Sequence, residues 1–218
     1  MFLFDDLAQI QFVDIIEFLG TIAFAISGIR LASAKRFDWF GAIVIGFVTA
    51  VGGGTLRDLL LDVPIFWTQA SRYIWCTLFA FIIVLCFRKY LVHLNNTIFW
   101  FDCIGLGLFV VVGYEKALAL EYPVWVCVSM ATITGIVGGM IRDILINEVP
   151  IIFTQELYAV ACILGGVLFS VLNLLNVDLV VTEIATAIFV VVIRFLATKY
   201  HLKLPILKSE GDDWQEKV

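Results

Sequence analysis

Seven stretches of about twenty mainly apolar residues divide this chain, at 13–31, 40–61, 71–91, 98–118, 124–146, 157–175 and 179–198. A helix of that length and character is what the hydrocarbon core of a bilayer requires. Composition closes the soluble alternative: 62% of the residues are hydrophobic and 15% charged, against about 45–50% and about 25% in average soluble domains. That leaves too little charge to cover a water-soluble surface. The net charge is −5 with no basic run, so nucleic acid is not a partner, because a duplex-binding face needs clustered Lys and Arg. The predicted fold is an all-α membrane protein with seven transmembrane helices surrounded by membrane lipids.

Local features agree with these spans. Trp39, Trp67, Trp75, Trp100 and Trp125 fall at or near span ends, as do Tyr73, Tyr90, Tyr122, Tyr158 and Tyr200, where amphipathic rings sit at headgroup level. Pro64, Pro123, Pro150 and Pro205 lie between or beyond spans. The first eighteen residues hold four acids and no Lys or Arg. A secretory signal needs a positive n-region, so the first stretch reads as a retained helix. Five cysteines (Cys76, Cys86, Cys103, Cys127, Cys162) lie in apolar stretches without a CxxC. They read as small buried hydrophobes, not as a disulfide framework or zinc site. His93 and His201 both sit near span ends. No cofactor is implied.

Basic residues in short loops set orientation. Arg30, Lys35 and Arg36 in the first loop, Arg88 and Lys89 in the third, and Lys199, Lys203 and Lys208 after the last span share one side if the spans number seven. The acidic N-terminus, Arg72, Lys116 and the loop near 173–178 share the other. This places the N-terminus outside and the C-terminus, with the polar tail 199–218, in the cytoplasm.

The chain repeats itself at a shift of about 85 residues. GFVTAVGGGTLRD at 46–58 matches ATITGIVGGMIRD at 131–143, pairing Thr49 with Thr134, Gly53 with Gly138, Gly54 with Gly139, Arg57 with Arg142 and Asp58 with Asp143. Further back, Glu17 pairs with Asp102, Gly20 with Gly105, Phe24 with Phe109 and Gly28 with Gly113. After one inserted residue the match resumes as VPIFWTQ at 63–69 against VPIIFTQ at 149–155. The units span 13–92 and 98–175, each with three helices. An odd number makes the copies insert in opposite directions, an arrangement common in transporters. The seventh helix, 179–198, lies outside the duplication.

The run Gly52-Gly53-Gly54 falls inside the second span and Gly138-Gly139 at the matching place in the fifth. Glycine costs about 1 kcal/mol relative to Ala in a helix interior. Such runs predict either a bent, pore-facing break, tolerated where backbone lines a water-filled cavity, or close helix packing; the break is the favoured reading. They are not a phosphate loop, since no Gly-Lys-Ser/Thr follows. Arg57-Asp58 and Arg142-Asp143 follow by a turn. They read as a charged lining or gate, with interfacial snorkelling as the alternative. Neighbouring residues on a helix diverge, so Arg57 and Asp58 are not expected to pair with each other. The expected pairs are Glu17 with Arg57 and Asp102 with Arg142, one latch at each mouth; Asp58 and Asp143 reaching across from the opposite repeat are the competing partners. No nucleophile–base constellation stands out, so an enzyme is not expected.

The duplicated three-span unit, GGGTLRD with GGMIRD, and the added seventh span resemble the prokaryotic branch of the TRIC (trimeric intracellular cation) channels, over about 13–198. The resemblance implies a homotrimer with one pore per subunit between the repeats, in the plasma membrane. It implies permeation of monovalent cations, chiefly potassium, along helices two and five kinked at Gly52–Gly54 and Gly138–Gly139, with Thr49 and Thr134 on the ion path. Val137 stands where the first repeat has Gly52, so the two kinks differ. Related bacterial sequences also carry the label glycine transporter. Carriage of glycine or another small zwitterion is therefore the second reading, and a structural role without flux the third.

Overall fold

The computed structural model describes residues 12–87, 97–154 and 157–202. Among the described residues the secondary structure is helical throughout: α1 (Phe12–Ala34), α2 (Trp39–Leu60), α3 (Phe66–Gln69), α4 (Arg72–Cys86), α5 (Thr97–Ala119), α6 (Val124–Leu145), α7 (Ile151–Thr154), α8 (Tyr158–Leu174) and α9 (Leu179–Lys199). Five of them, α1, α2, α5, α6 and α9, are long and apolar enough to cross a membrane. At 1.5 Å per residue, α4 and α8 reach about 22 and about 26 Å, short of a full hydrocarbon core of about 30 Å. Large apolar side chains such as Phe40, Trp125, Phe153 and Leu174 lie on the outer surface, which suits hydrocarbon and not water. This is a multi-pass, all-helical membrane protein.

Six helices end the same way. Two residues past the ends of α1, α2, α5, α6, α8 and α9 stand Arg36, Asp62, Glu121, Asn147, Asn176 and His201, all at φ between 51 and 63°. The next amide bonds back to a carbonyl of the last turn, as Val63 N–H to Asp58 O (3.0 Å) and Glu148 N–H to Asp143 O (2.9 Å). This is the left-handed helix stop, made here without glycine. Arg36 with Glu121 and Asp62 with Asn147 are repeat partners, so the duplication extends to the turns.

The short helices α3 and α7 were not anticipated. They form from VPIFWTQ and VPIIFTQ, where proline blocks continuation of the preceding helix. Asp58 Oδ2 accepts the Phe66 N–H (2.8 Å) and Asp143 Oδ2 the Ile151 N–H (3.2 Å). Each carboxylate at the end of a long helix thereby satisfies an orphan amide at the start of the next element.

At the centre α1 packs on α5 and α2 on α6. The Phe24 and Phe109 rings meet at 5.2 Å. Gly20 faces Phe109, and Gly105 faces Phe24. These contacts exchange when each residue is replaced by its repeat partner, and they run in opposite order along the two helices. All five cysteines are free; four are buried as expected and Cys86 is exposed. Trp39, Trp75, Trp100 and Trp125 sit exposed in first turns. Trp67 instead lies in α3, where its indole N–H donates to Thr55 Oγ1 (2.9 Å). The expectations for Arg88, Lys89, Tyr90, His93, Lys203, Pro205, Lys208 and most of the 199–218 tail lie outside the described residues.

Candidate functional site

The glycine runs do not break their helices. α2 is continuous α-helix through Gly52, Gly53 and Gly54, and α6 through Gly138 and Gly139. The expected unwound or kinked break is corrected to a close crossing. A Cβ added at Gly53 would fall on the Thr134 carbonyl oxygen, and one at Gly138 on that of Thr49. Only glycine lets the backbones approach this far. The Thr49 and Thr134 hydroxyls donate back to Ile45 O and Met130 O, at 2.6 Å each. Both side chains are buried, against Gly28 and Gly113. Thr49, Thr134, Gly53 and Gly138 are thus tightly packed at the crossing, whereas Gly52 lines an apolar recess of about 390 Å³ beside it. Gly54 faces the Phe66 ring and Gly139 the Tyr158 hydroxyl.

Neither arginine snorkels: Arg57 is 1% exposed and Arg142 0%. Arg142 Nη1 donates to Asp102 Oδ1 (2.6 Å) and to Ser27 Oγ (2.8 Å), and Nε donates to Asp143 Oδ1 (2.9 Å). The guanidinium thus ties α6 to both α5 and α1. One of the two expected pairs is formed by these atoms.

The other is not, and the expectation is corrected. Glu17 Oε2 accepts from the Tyr73 hydroxyl (2.7 Å) and lies 3.9 Å from Arg72 Nη2. Arg57 instead curls onto its neighbour, Nε donating to Asp58 Oδ1 (2.8 Å), with its guanidinium 5.5 Å over the Phe66 ring. Phe66 packs edge-on against Tyr73 at 4.6 Å. Two aromatic rings therefore stand between Glu17 and Arg57. In the second repeat the motif position of Phe66 is Ile152, and Asp102 reaches its arginine directly. The argument against adjacent pairing also fails, for Arg142-Asp143 as well. Diverging Cβ directions do not bind a side chain as long as arginine's at the last turn of a helix. Asp58 draws its cross-repeat partner from elsewhere: Lys116 Nζ on α5 approaches Asp58 Oδ1 at 3.6 Å.

An open recess of about 400 Å³ lies at this end of the bundle, lined in part by Asp14, Glu17, Arg72, Tyr73, Glu115 and Lys116. Lys116 and Asp102 are at opposite ends of α5, about 21 Å apart along its axis. The recess thus sits at one end of the bundle and the Asp102–Arg142 pair at the other. It offers acidic and basic groups together.

Sequence reasoning missed Glu115, Glu183 and Arg194, and took Lys116 only as a marker of orientation. Glu115 and Lys116 stand where the first repeat has Arg30 and Leu31; the loss of repeat agreement at charged positions within a span was the available signal. Glu183 and Arg194 are buried in α9. Ionisable groups inside so apolar a helix are costly enough to mark a functional candidate. Arg194 lies over the Tyr158 ring at 4.6 Å and the Phe99 ring at 5.7 Å. Among the described residues, no group of three or more His, Cys, Asp or Glu could hold a metal ion.

The family model described as Glycine transporter matches the chain twice, over residues 14–89 and 99–173. The UPF0126 inner membrane protein YadS of Escherichia coli K12 is 37% identical over 196 residues, 87% of this chain and 93% of that protein. A UPF0126 membrane protein of Vibrio cholerae is 36% identical over 197 residues, 88% and 81% of the two. A structure determined to explain conductance through TRIC cation channels superposes with a TM-score of 0.81 at 34% identity, covering 93% of this chain and 100% of the other. The TRIC trimeric intracellular cation channel orthologue from Rhodobacter sphaeroides gives a TM-score of 0.80 at 29% identity, covering 87% and 98%.

Proposed function

The chain belongs to the glycine-transporter family, whose solved relatives include prokaryotic TRIC channels, and from that premise we propose that it is a cation channel of the inner membrane, conducting monovalent cations, chiefly potassium. The observation that carries this reading is the superposition at 34% identity over the full length of a solved TRIC cation channel. The pore runs within each subunit between two inverted three-helix repeats, 13–92 and 98–175, with the seventh helix outside them and the subunits assembled as a homotrimer. The reversed order of the α1–α5 and α2–α6 contacts supports inversion, and the Rhodobacter sphaeroides relative, an orthologue of trimeric intracellular cation channels, supports the trimer. In this reading α4 and α8 also cross, making seven spans, with the N-terminus outside.

The recess at the Glu17 end is the outer vestibule, and the glycine crossing with the Asp102–Arg142 pair is the closed gate beyond it. Conduction requires α2 and α6 to part at Gly53 and Gly138. Bilayer recordings and potassium flux from proteoliposomes test this: unitary potassium currents without a saturable substrate are expected. No current under any voltage or salt gradient would remove the reading.

A second reading is supported by the mixed charge of the recess. Arg72 and Lys116 suit a carboxylate while Glu17 and Glu115 suit an ammonium group, as a carrier of glycine or another small zwitterion would need. Saturable glycine uptake without unitary current is its signature.

A further inference from the structure

The contact between α5 and α9 buries an arrangement of oxygens that the gate does not use. The carboxyl groups of Glu115 on α5 and Glu183 on α9 face each other within hydrogen-bonding reach. Two ionised carboxylates would repel at that separation, so the pair holds a shared proton. Each keeps its Oε2 buried without a hydrogen-bond partner. On the same turn of α9, the Thr182 and Thr186 hydroxyl oxygens are also buried without a partner, at 1% and 0% exposure. Thr21, Thr49, Thr55, Thr77, Thr132 and Thr134 by contrast each donate to the carbonyl four residues back. Helical phase puts Thr182, Glu183 and Thr186 on the inward side of α9, which packs on α5. Unsatisfied buried oxygens are costly and call for an occupant.

The surroundings favour a positive one. Asp14 on α1 adds its negative field at Glu115, and Asp178 before α9 does so at Glu183. Glu17 and Arg72 also line the recess, and Arg72 is directed to Glu17 and Tyr73. Lys116, the nearest cation on α5, is engaged by Asp58. α8, which packs on α9, carries no charged residue, and the charges of α6, Arg142 and Asp143, lie at the other end of the bundle. Glu115 lines the recess itself, so an ion has a route from the vestibule. Two carboxylates with two hydroxyls make an all-oxygen donor set, which suits a hard cation. The four oxygens fall short of the six to eight that calcium takes, and exchange of one proton for one monovalent ion leaves the site's charge unchanged.

We propose that Glu115, Glu183, Thr182 and Thr186 form a monovalent-cation site in the wall of the vestibule, which binds potassium or sodium in exchange for the proton shared by the two carboxyls. In the exchange the carboxyl O–H bond breaks, the proton leaves to water in the recess, and the cation takes its place, so the site's net charge is unchanged. The seventh helix thereby senses the ions entering a pore built by the other six. The site deepens the channel reading and rests on it for the access of monovalent cations to the recess.

The test needs no flux. Purified full-length protein in detergent and weak buffer near pH 7 is given potassium chloride or, separately, N-methylglucamine chloride, and a pH dye reads proton release. Potassium is expected to release up to one proton per chain and the bulky organic cation none. Glu183→Gln and Glu115→Gln, which keep an amide hydrogen bond to the remaining carboxyl, are expected to abolish release. Thr186→Val is expected to raise the potassium concentration for half-release at least threefold. Absence of release from the unaltered protein, equal release by both salts, or unchanged release in both Gln variants would overturn the site. Conduction without proton release sinks this inference alone; proton release without conduction sinks the channel reading alone.

Discussion

Gly53 on α2 lies so close to Thr134 on α6 that a single added carbon would fall on the threonine carbonyl, and Gly138 meets Thr49 in the same way 85 residues on. The colliding atom is backbone in each case, so no rotamer change relieves it. Gly53→Ala and Gly138→Ala should each cost about 1–3 kcal/mol, the usual range for overpacking, and change channel opening. At Gly52 the added carbon meets the flexible end of Ile141 at 3.1 Å, so Gly52→Ala should be nearly neutral. Thermal unfolding in detergent checks the order, and a Gly52 variant as damaged as the other two would contradict it.

Asp102 and Arg142 should be energetically coupled, and Glu17 and Arg57 should not. Removing one partner of a buried pair costs about 3–5 kcal/mol, so Asp102→Ala should be severe, with part of the loss offset by Asp143 and Ser27. Glu17→Gln still accepts from Tyr73 and should cost less than about 1 kcal/mol. A double-mutant cycle on each pair gives the answer. Additivity for Asp102 with Arg142, or strong coupling for Glu17 with Arg57, would refute the arrangement.

Phe66 holds those halves apart. Phe66→Ile copies the second repeat and removes one ring between Glu17 and Arg57, at about 1–3 kcal/mol in lost packing. In that background the Glu17–Arg57 cycle should acquire a coupling above about 0.5 kcal/mol. A cycle still at zero would mean that the aromatic spacer is not the cause of the asymmetry.

In the proposed channel, Lys116 in the wall of the recess would oppose an entering cation. Lys116→Gln should raise potassium conductance at low salt. The gain should shrink toward 1 M salt, where the Debye length falls to about 3 Å. Single-channel recordings across ionic strength measure it; a gain independent of salt would point to a change of shape instead of charge.

Orientation is open to direct labelling. In a background lacking the native cysteines, Asp5→Cys should react with an impermeant thiol reagent from outside and Lys208→Cys only from the cytoplasm. Reaction of both from one side would remove the odd-span argument.

Span positions were legible because an apolar run is a local property, and α1, α2, α5, α6 and α9 begin and end within three residues of the predicted limits. The partner of Arg142 was legible because Asp102 near the start of α5 and Arg142 near the end of α6 lie at matching depth, with no aromatic spacer between them. The partner of Glu17 was not, because it depends on where α3 places Phe66 and α4 places Tyr73, and the start of α3 is held by a hydrogen bond to Asp58, eight residues earlier. The glycine runs were legible as special and misread in kind. Sequence marks a place without side chains, but only the partner helix tells a bend from a close approach. Glu183 and Arg194 carried an adequate signal in their cost within an apolar helix.

The one-sided recess also shapes the electric field. Water in a recess carries the potential of its own side inward, so a membrane voltage falls across the remaining, sealed thickness. The recess ends near Glu17 and Glu115, while Arg142 and Asp102 lie toward the opposite face. Each elementary charge moved through the whole drop is worth about 2.3 kcal/mol per 100 mV. A guanidinium that shifts within that compressed field does electrical work far larger than its displacement in ångströms suggests, whereas Arg72 and Lys116, bathed at the potential of the bulk, do almost none.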